Sequence, residues 1–231
     1  MTFRTKLLSS ACLIALSTGA VQAQGLSAPN TGWTGAYVGG LIGVGFGSNR
    51  MQEDISGSPG AFSPAGTVYR LSGTGAVFGA YLGYNWQVSP TGLVGIEADL
   101  TYNTASGSAP TFTQDTFVTG KPQFAGSLRA RAGLIVDRAL FYVTGGLALG
   151  NPSVSVDRVG FPAFARQNSL RAGFVVGLGT EYMVSQAWTI RFEGLYYDFG
   201  SSRAADLTNN GYIFPTRASQ FQARVGASYR F

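Results

Sequence analysis

The chain has 231 residues, of which 12% are charged and 13% are aromatic, and it contains 33 glycines. This composition favours strands over helices. It contains no histidine and only one cysteine, which excludes Ser-His-Asp catalysis, His-ligated zinc and a disulfide framework. The net charge of +5 arises without a run of basic residues, so the sequence predicts no nucleic-acid binding.

The first 23 residues have the pattern of a secretory signal peptide. Arg4 and Lys6 precede an apolar segment over residues 7–16, and Ala23 offers a small residue for cleavage. The apolar segment is too short to span a bilayer as a helix, and Cys12 falls inside it. The sequence therefore predicts export, removal of residues 1–23 and one cysteine-free domain over residues 24–231.

Residues 35–47 begin a series of segments in which apolar and polar or small residues alternate. Since successive strand side chains point to opposite faces, each segment predicts a strand with one apolar face. Eight such segments are present: 35–47, 74–86, 93–103, 123–136, 140–150, 169–184, 188–199 and 218–231. Each is near or above the roughly 9–11 residues that a tilted membrane strand needs.

The connections between these segments alternate in length. Residues 87–92, 137–139 and 185–187 are tight turns, whereas 48–71, 104–122, 151–168 and 200–217 are long and rich in Gly, Pro, Ser, Thr and Asn. Short periplasmic turns, long outer loops and an even strand number are typical of outer-membrane barrels. We therefore predict an all-β, eight-stranded, antiparallel, up-and-down transmembrane β-barrel. The alternative, a soluble β-sandwich, would carry more Lys and Glu on its polar face.

The tryptophans and the last strand add detail to this prediction. Trp33, Trp86 and Trp188 all fall at the short-turn end, which predicts an inner aromatic belt. In the last strand, residues counted back in steps of two from Phe231 are apolar, with aromatic side chains at both ends. This profile is typical of a strand that contacts lipid.

The predicted strand register directs most charged side chains inward. Arginine facing lipid at mid-depth costs about 2–4 kcal/mol, so a one-residue slip would be strongly unfavourable. Eight strands leave little room for water, so we expect a lumen salt-bridge network that glycines on the first two strands accommodate. Its predicted members are Glu97, Asp99, Arg129, Arg131, Arg171, Glu181, Arg191, Glu193, Arg224 and Arg230. The predicted cross-strand pairs are Glu181–Arg191, Glu97–Arg129 and Glu193–Arg224. A gated ion path or a binding site is the alternative interpretation of this cluster.

No motif in the sequence predicts an enzyme, a cofactor or a metal site. Glu97 and Asp99 could be paired catalytic carboxylates, but arginine neighbours favour salt bridges. The glycine-rich stretch 43–47 lacks the spacing of a dinucleotide loop, and no helix follows it. Glu53 and Asp54 could bind a cation weakly, although solvated loop acids are the better interpretation.

Three stretches carry a resemblance to a known family: residues 33–40 (WTGAYVGG), 129–133 (RARAG) and 225–231 (VGASYRF). They resemble the small outer-membrane β-barrel family, which includes OmpA-like barrels and immunogenic surface proteins of α-proteobacteria. The resemblance implies an assembly signal at Tyr229 and Phe231 that the barrel assembly machinery reads. It also implies contact with outer-membrane lipid and lipopolysaccharide, and roles in envelope integrity, surface exposure and host contact.

Two functions remain open at this point. The first is a non-enzymatic barrel with a plugged lumen that acts in envelope integrity or in surface interactions through its loops. The second is a narrow ion or small-solute channel of the porin kind. The loops are unusually aromatic, which fits either packing of the loop bases or binding of an extracellular ligand. These loop aromatics are Phe62, Tyr69, Phe112, Phe117, Phe161, Phe164, Tyr212 and Phe214.

Overall fold

A computed structural model describes residues 32–52, 68–110, 116–121, 123–151, 153–158, 165–168, 170–206 and 214–231. The predicted signal peptide, residues 1–23, lies outside these ranges, as do Glu53 and Asp54. The side chains of the loop aromatics named above also lie outside the described part of the chain. Across the described ranges, no helix is long and apolar enough to cross a membrane.

Twelve strands are present in the described residues. In chain order they are β1 (Gly35–Gln52), β2 (Val68–Gln87), β3 (Gly92–Asn103), β4 (Gly107–Pro110), β5 (Thr116–Lys121), β6 (Gln123–Val136), β7 (Ala139–Gly150), β8 (Ser153–Arg158), β9 (Ala165–Asn168), β10 (Arg171–Met183), β11 (Trp188–Asp206) and β12 (Phe214–Arg230). Eight of these form the wall in the order β1-β2-β3-β6-β7-β10-β11-β12, each antiparallel to the next. Strand β12 pairs with β1, so the wall closes on itself. The predicted eight-stranded barrel is confirmed.

The four short strands lie at the outer end of the barrel, where the predicted long loops are. They pair in the order β4-β5-β8-β9, and β9 pairs with the far end of β11 through Ala205 and Arg166. On the other side, Ser106 bridges to Thr74 of β2. The long connections predicted over 104–122 and 151–168 therefore contain short paired strands.

Side-chain exposure follows the period of two along the wall strands. On the outer face, Ile42, Leu128 and Leu178 are 68%, 59% and 67% exposed, although all three are aliphatic. On the inner face, Arg129 and Glu97 are 1% and 2% exposed. Only a surface covered by hydrocarbon favours this inversion of the usual distribution.

Several wall strands extend beyond their predicted ends. Strand β11 continues past Phe199 to Asp206, through a register shift between Asp198 and Ser201. Gly200, at φ 66°, supplies the left-handed conformation that this bulge requires. The Gly200 amide donates to the Asp198 carboxylate at 2.7 Å and so holds the bulge in place.

Candidate functional site: a charged layer inside the barrel

Four arginines and four carboxylates meet at one level inside the barrel, and we call this set the charged layer. Equal numbers of the two signs leave the layer without net formal charge. All of its members are buried, and they come from β3, β6, β10, β11 and β12. They are Glu97, Asp99, Arg129, Arg131, Glu181, Arg191, Glu193 and Arg224.

Glu97 has three charged partners in the layer, as many as Arg129. It accepts hydrogen bonds from Arg129 and, at 2.7 Å, from Nη1 of Arg191. Nη1 of Arg131 lies 3.5 Å from the same carboxylate, and the Tyr37 hydroxyl donates to it at 2.8 Å. Three guanidinium groups and one phenol thus converge on one buried carboxylate.

Glu181 joins the same group of arginines from the opposite side. Its carboxylate lies 3.2 Å from Arg131 and 3.4 Å from Arg191, and it accepts a hydrogen bond from the Thr189 hydroxyl. Charge-assisted hydrogen bonds of this kind are among the stronger polar contacts in proteins. The two acids and the arginines therefore form one continuous network rather than isolated pairs.

The outer half of the charged layer is built on Asp99 and Glu193. Arg129 reaches both carboxylates, at 3.0 and 2.9 Å, and links this half to Glu97. Arg224 lies 3.3 Å from Asp99 and 3.7 Å from Glu193. The three pairs predicted across neighbouring strands are all present: Glu181–Arg191, Glu97–Arg129 and Glu193–Arg224.

Arg171 and Arg230 do not join the charged layer, so their prediction as network members was wrong. Arg171 lies at the outer end of β10 and donates to the Gly200 carbonyl at 3.1 Å. Arg230 lies at the inner end of β12, with its guanidinium 5.3 Å from the centre of the Trp33 ring. Both point inward as predicted, but they are too far along their strands to reach the carboxylates.

Tyrosines pack against the arginines, and sequence reasoning missed them. The Arg191 guanidinium lies 3.9 Å from the centre of the Tyr81 ring. Arg131 lies between two rings, 4.9 Å from Tyr37 and 5.0 Å from Tyr142. Such cation–π contacts gain strength when the cation is desolvated. The signal was available, since Tyr37 and Tyr81 have the inward parity of their strands.

Inward glycines provide the space for these rings. A Cβ on Gly39 would lie 2.4 Å from the Tyr81 ring, and one on Gly83 would lie 2.3 Å from the Tyr37 hydroxyl oxygen. We expected these glycines to make room for arginines. In the structure the tyrosines fill that room, and the arginines pack on the tyrosines.

Two apolar clusters lie on either side of the charged layer. On the inner side, Trp33 packs with Leu93, Ile135, Leu140 and Tyr142. On the outer side, the cluster consists of Ala125, Ala148, Val175, Leu195, Tyr197, Phe199 and Ala218. The lumen is therefore filled at three successive levels along the barrel axis.

The predicted inner aromatic belt is only partly present. Trp86 and Trp188 are 43% and 52% exposed and face outward at the short-turn end. Trp188 packs edge-on against Tyr229, with ring centres 5.4 Å apart. Trp33 is 1% exposed and lies inside the barrel, so its assignment to the belt was wrong. It precedes β1, and its ring packs with the inner apolar cluster.

The predicted assembly signal lies at the end of β12. Tyr229 and Phe231 both face outward, and their rings pack edge-on at 5.3 Å. The Phe231 amide donates to the carbonyl of Ala36 at 3.0 Å, so the end of the chain lies against β1. Their recognition by the assembly machinery stays a prediction.

The fold and the composition of its two faces correspond to a known family. Residues 9–231 match the family described as "Outer membrane protein beta-barrel domain". The chain belongs to this family. It is accordingly an outer-membrane protein, as the exposed apolar wall requires.

Named relatives agree with this assignment. The chain is 30% identical, over 207 residues, to a 31 kDa outer-membrane immunogenic protein of Brucella melitensis biotype 1; the match covers 86% of this chain and 84% of the relative. It is 29% identical to a 22 kDa outer membrane protein of Rhizobium leguminosarum bv. viciae, over 80% of this chain and 72% of that protein. Among solved structures, Neisserial surface protein A aligns with 14% identity and a TM-score of 0.42, over 83% of this chain and 97% of that one.

Proposed function

We propose that this protein is a non-enzymatic, closed outer-membrane barrel that serves envelope integrity or surface interaction through its outer end. The observation that carries the proposal is the charged layer, whose four arginines and four carboxylates are paired across the lumen and buried. An eight-stranded barrel is just wide enough for side chains to fill it. A lumen filled in this way supports a structural role rather than transport.

The named relatives support the surface role. The Brucella relative is described as an immunogenic protein of the outer membrane. From this description we infer a protein whose outer end faces the host. In this chain the outer end is built from β4, β5, β8 and β9, together with the extensions of β1, β2, β11 and β12. We propose that this outer end binds an extracellular ligand.

A narrow channel is the second candidate, and one observation favours it. In the outer half of the lumen, the amide nitrogens of Asn103 and Gln222 are buried and have no hydrogen-bond partner among the described residues. Buried amides usually find a protein or water partner. A hydrated path that reaches the charged layer from the outside would satisfy them.

Single-channel recording in planar bilayers distinguishes the two functions. The closed barrel is expected to give no steady conductance, both as wild type and as the Arg138→Gln variant, which removes an exposed charge from a periplasmic turn. Steady conductance that changes in Arg129→Gln or Arg224→Gln but not in Arg138→Gln would contradict the closed barrel and establish the channel.

A further inference from the structure

Three arginines lie side by side on the outward face of the barrel wall. Arg50 of β1 is directly opposite Arg217 of β12 and directly opposite Arg70 of β2. All three side chains are exposed. Like charges directly opposite each other destabilise a sheet, so a row of three is unfavourable unless an anion neutralises it. We call Arg50, Arg70 and Arg217 the arginine row.

The protein itself neutralises only part of this charge. The Asp198 carboxylate lies 2.8 Å from Nη2 of Arg217. Among the described residues, no carboxylate forms an ion pair with Arg50 or Arg70. Within the described part of the chain, the row therefore retains excess positive charge, on a surface that points sideways from the barrel.

The height of the row places it at the level of lipid headgroups. Outward residues of β1 are apolar or small from Ala36 to Phe46. At about 3.3 Å per residue and a tilt of about 40°, this stretch spans roughly 25 Å, the height of the apolar band in outer-membrane barrels. By the same arithmetic, Arg50 lies roughly 10 Å above Phe46. Long arginine side chains can also reach down from this level.

The surface below the row changes in chemistry step by step. Immediately below Arg50, Ser48 is directly opposite Ser72 on one side and Ser219 on the other. Below these, Phe46 packs against Phe221 with ring centres 6.3 Å apart. An amphiphile that matches this order has phosphate at the top, hydroxyl-bearing groups beneath it and acyl chains at the bottom.

Deeper in the membrane, small side chains flank β1. Val44 is directly opposite Ala76 and Ala223, and all three face outward. The side chains beneath the aromatic pair therefore project little from the sheet, and an acyl chain can lie close to the backbone there. This feature supports the same ligand but would not by itself indicate a site.

We propose that the arginine row, with the serines and aromatic rings beneath it, binds a phosphorylated and acylated glycolipid of the outer leaflet. Guanidinium groups bind phosphate through two parallel hydrogen bonds, and neighbouring arginines can share one anion. Binding removes the repulsion within the row. The sideways direction of the row favours a lipid neighbour over a soluble polyanion.

The test uses the folded full-length barrel in a non-ionic detergent and measures lipid binding by native mass spectrometry. The probes are bis-phosphorylated lipid A and the same lipid with its phosphates removed. The variant is Arg50→Gln/Arg70→Gln, and the matched control is Arg138→Gln, an exposed arginine in a periplasmic turn. A shift in gel mobility on boiling verifies that each variant is folded.

The wild type and Arg138→Gln are expected to bind the phosphorylated lipid more tightly than the dephosphorylated one. The double variant is expected to lose roughly fivefold in affinity per arginine for the phosphorylated lipid only. The proposal is overturned if the double variant binds both lipids like the wild type. It is also overturned if inorganic phosphate or a heparin fragment, used as soluble probes, binds the row and the lipid does not.

Discussion

Arg191 on β11 and Glu97 on β3 face each other across the lumen, and their side chains are 2.7 Å apart. Their two strands are four strands apart in either direction around the barrel. Strand pairing does not bring these two residues together, so the contact spans the lumen itself. The same is true of Arg129 with Glu193 and of Arg224 with Asp99. The charged layer therefore links opposite strands across the lumen as well as neighbouring strands within the wall.

Removing the central carboxylate is expected to destabilise the barrel strongly. Glu97→Gln leaves Arg129, Arg131 and Arg191 without their shared partner in a buried site. Breaking a buried ion pair from one side costs about 3–5 kcal/mol, because the remaining charge is uncompensated. Urea unfolding in lipid vesicles measures the change in unfolding free energy.

The control for this experiment is Asp137→Asn in the exposed turn between β6 and β7. Asp137 has φ 53°, a conformation that Asn also tolerates, so a change below about 0.5 kcal/mol is expected. An unfolding free energy of Glu97→Gln equal to that of the control would mean that the charged layer does not stabilise the barrel.

The packing of tyrosine on glycine is tested by two adjacent substitutions on β1. In Gly39→Ala the new methyl group would lie 2.4 Å from both the Tyr81 ring and the Ala227 carbonyl oxygen, whereas in Gly40→Ala its nearest neighbour is 3.9 Å away. Overpacking of this kind costs about 1–3 kcal/mol, so Gly39→Ala should destabilise and Gly40→Ala should not. Equal urea midpoints for the two variants would contradict an inward Gly39.

The different positions of the tryptophans predict different fluorescence quenching. In variants that each retain a single tryptophan, brominated lipids should quench Trp86 and Trp188, which face outward, because bromine on an acyl chain quenches only rings that it contacts. Trp33, which lies inside with Leu140 and Tyr142, should resist both brominated lipid and aqueous acrylamide. Strong quenching of Trp33 by brominated lipid would contradict its position inside the barrel and would place it in the outward aromatic belt.

Much of the fold was predictable because the wall repeats one rule. Alternation along each strand, together with the cost of exposing Arg129, Arg191 or Arg224 to lipid, determines which face is inside. Counting from the tight turns then gives partners on neighbouring strands, such as Glu181 and Arg191. These are local relationships, and a single sequence contains them.

Contacts across the lumen were not predictable in this way. The meeting of Glu97 with Arg191 depends on the tilt and stagger of all eight strands, which no single segment encodes. Trp33 precedes the alternating pattern, so the sequence did not determine whether its side chain faces inward or outward. Strands β4, β5, β8 and β9 are only four or six residues long and lie within connections rich in Gly, Pro, Ser, Thr and Asn, whose composition indicates loops. Pairing with neighbouring strands is what makes them strands.

The outer face is tested by placing a charge at two depths on β6. Leu128→Arg, near the middle of the apolar band, is expected to cost about 2–4 kcal/mol, and Val136→Arg, at the short-turn end, about 0–1 kcal/mol. Both residues face outward, with 59% and 56% exposure. Equal costs, measured by urea unfolding in vesicles, would contradict a membrane across this face.

A spin-label scan along β12 tests most directly whether the barrel has lipid outside and the charged layer inside. The predicted mature chain has no cysteine, so single cysteines at residues 220–230 can be labelled and their collisions measured with oxygen, which dissolves in lipid, and with a water-soluble nickel complex. Oxygen maxima are expected at the outward residues Phe221, Ala223, Val225, Ala227 and Tyr229, with minima at the residues between them. Maxima at Gln222 and Arg224, or no period of two, would contradict a barrel that has lipid outside and a charged layer inside.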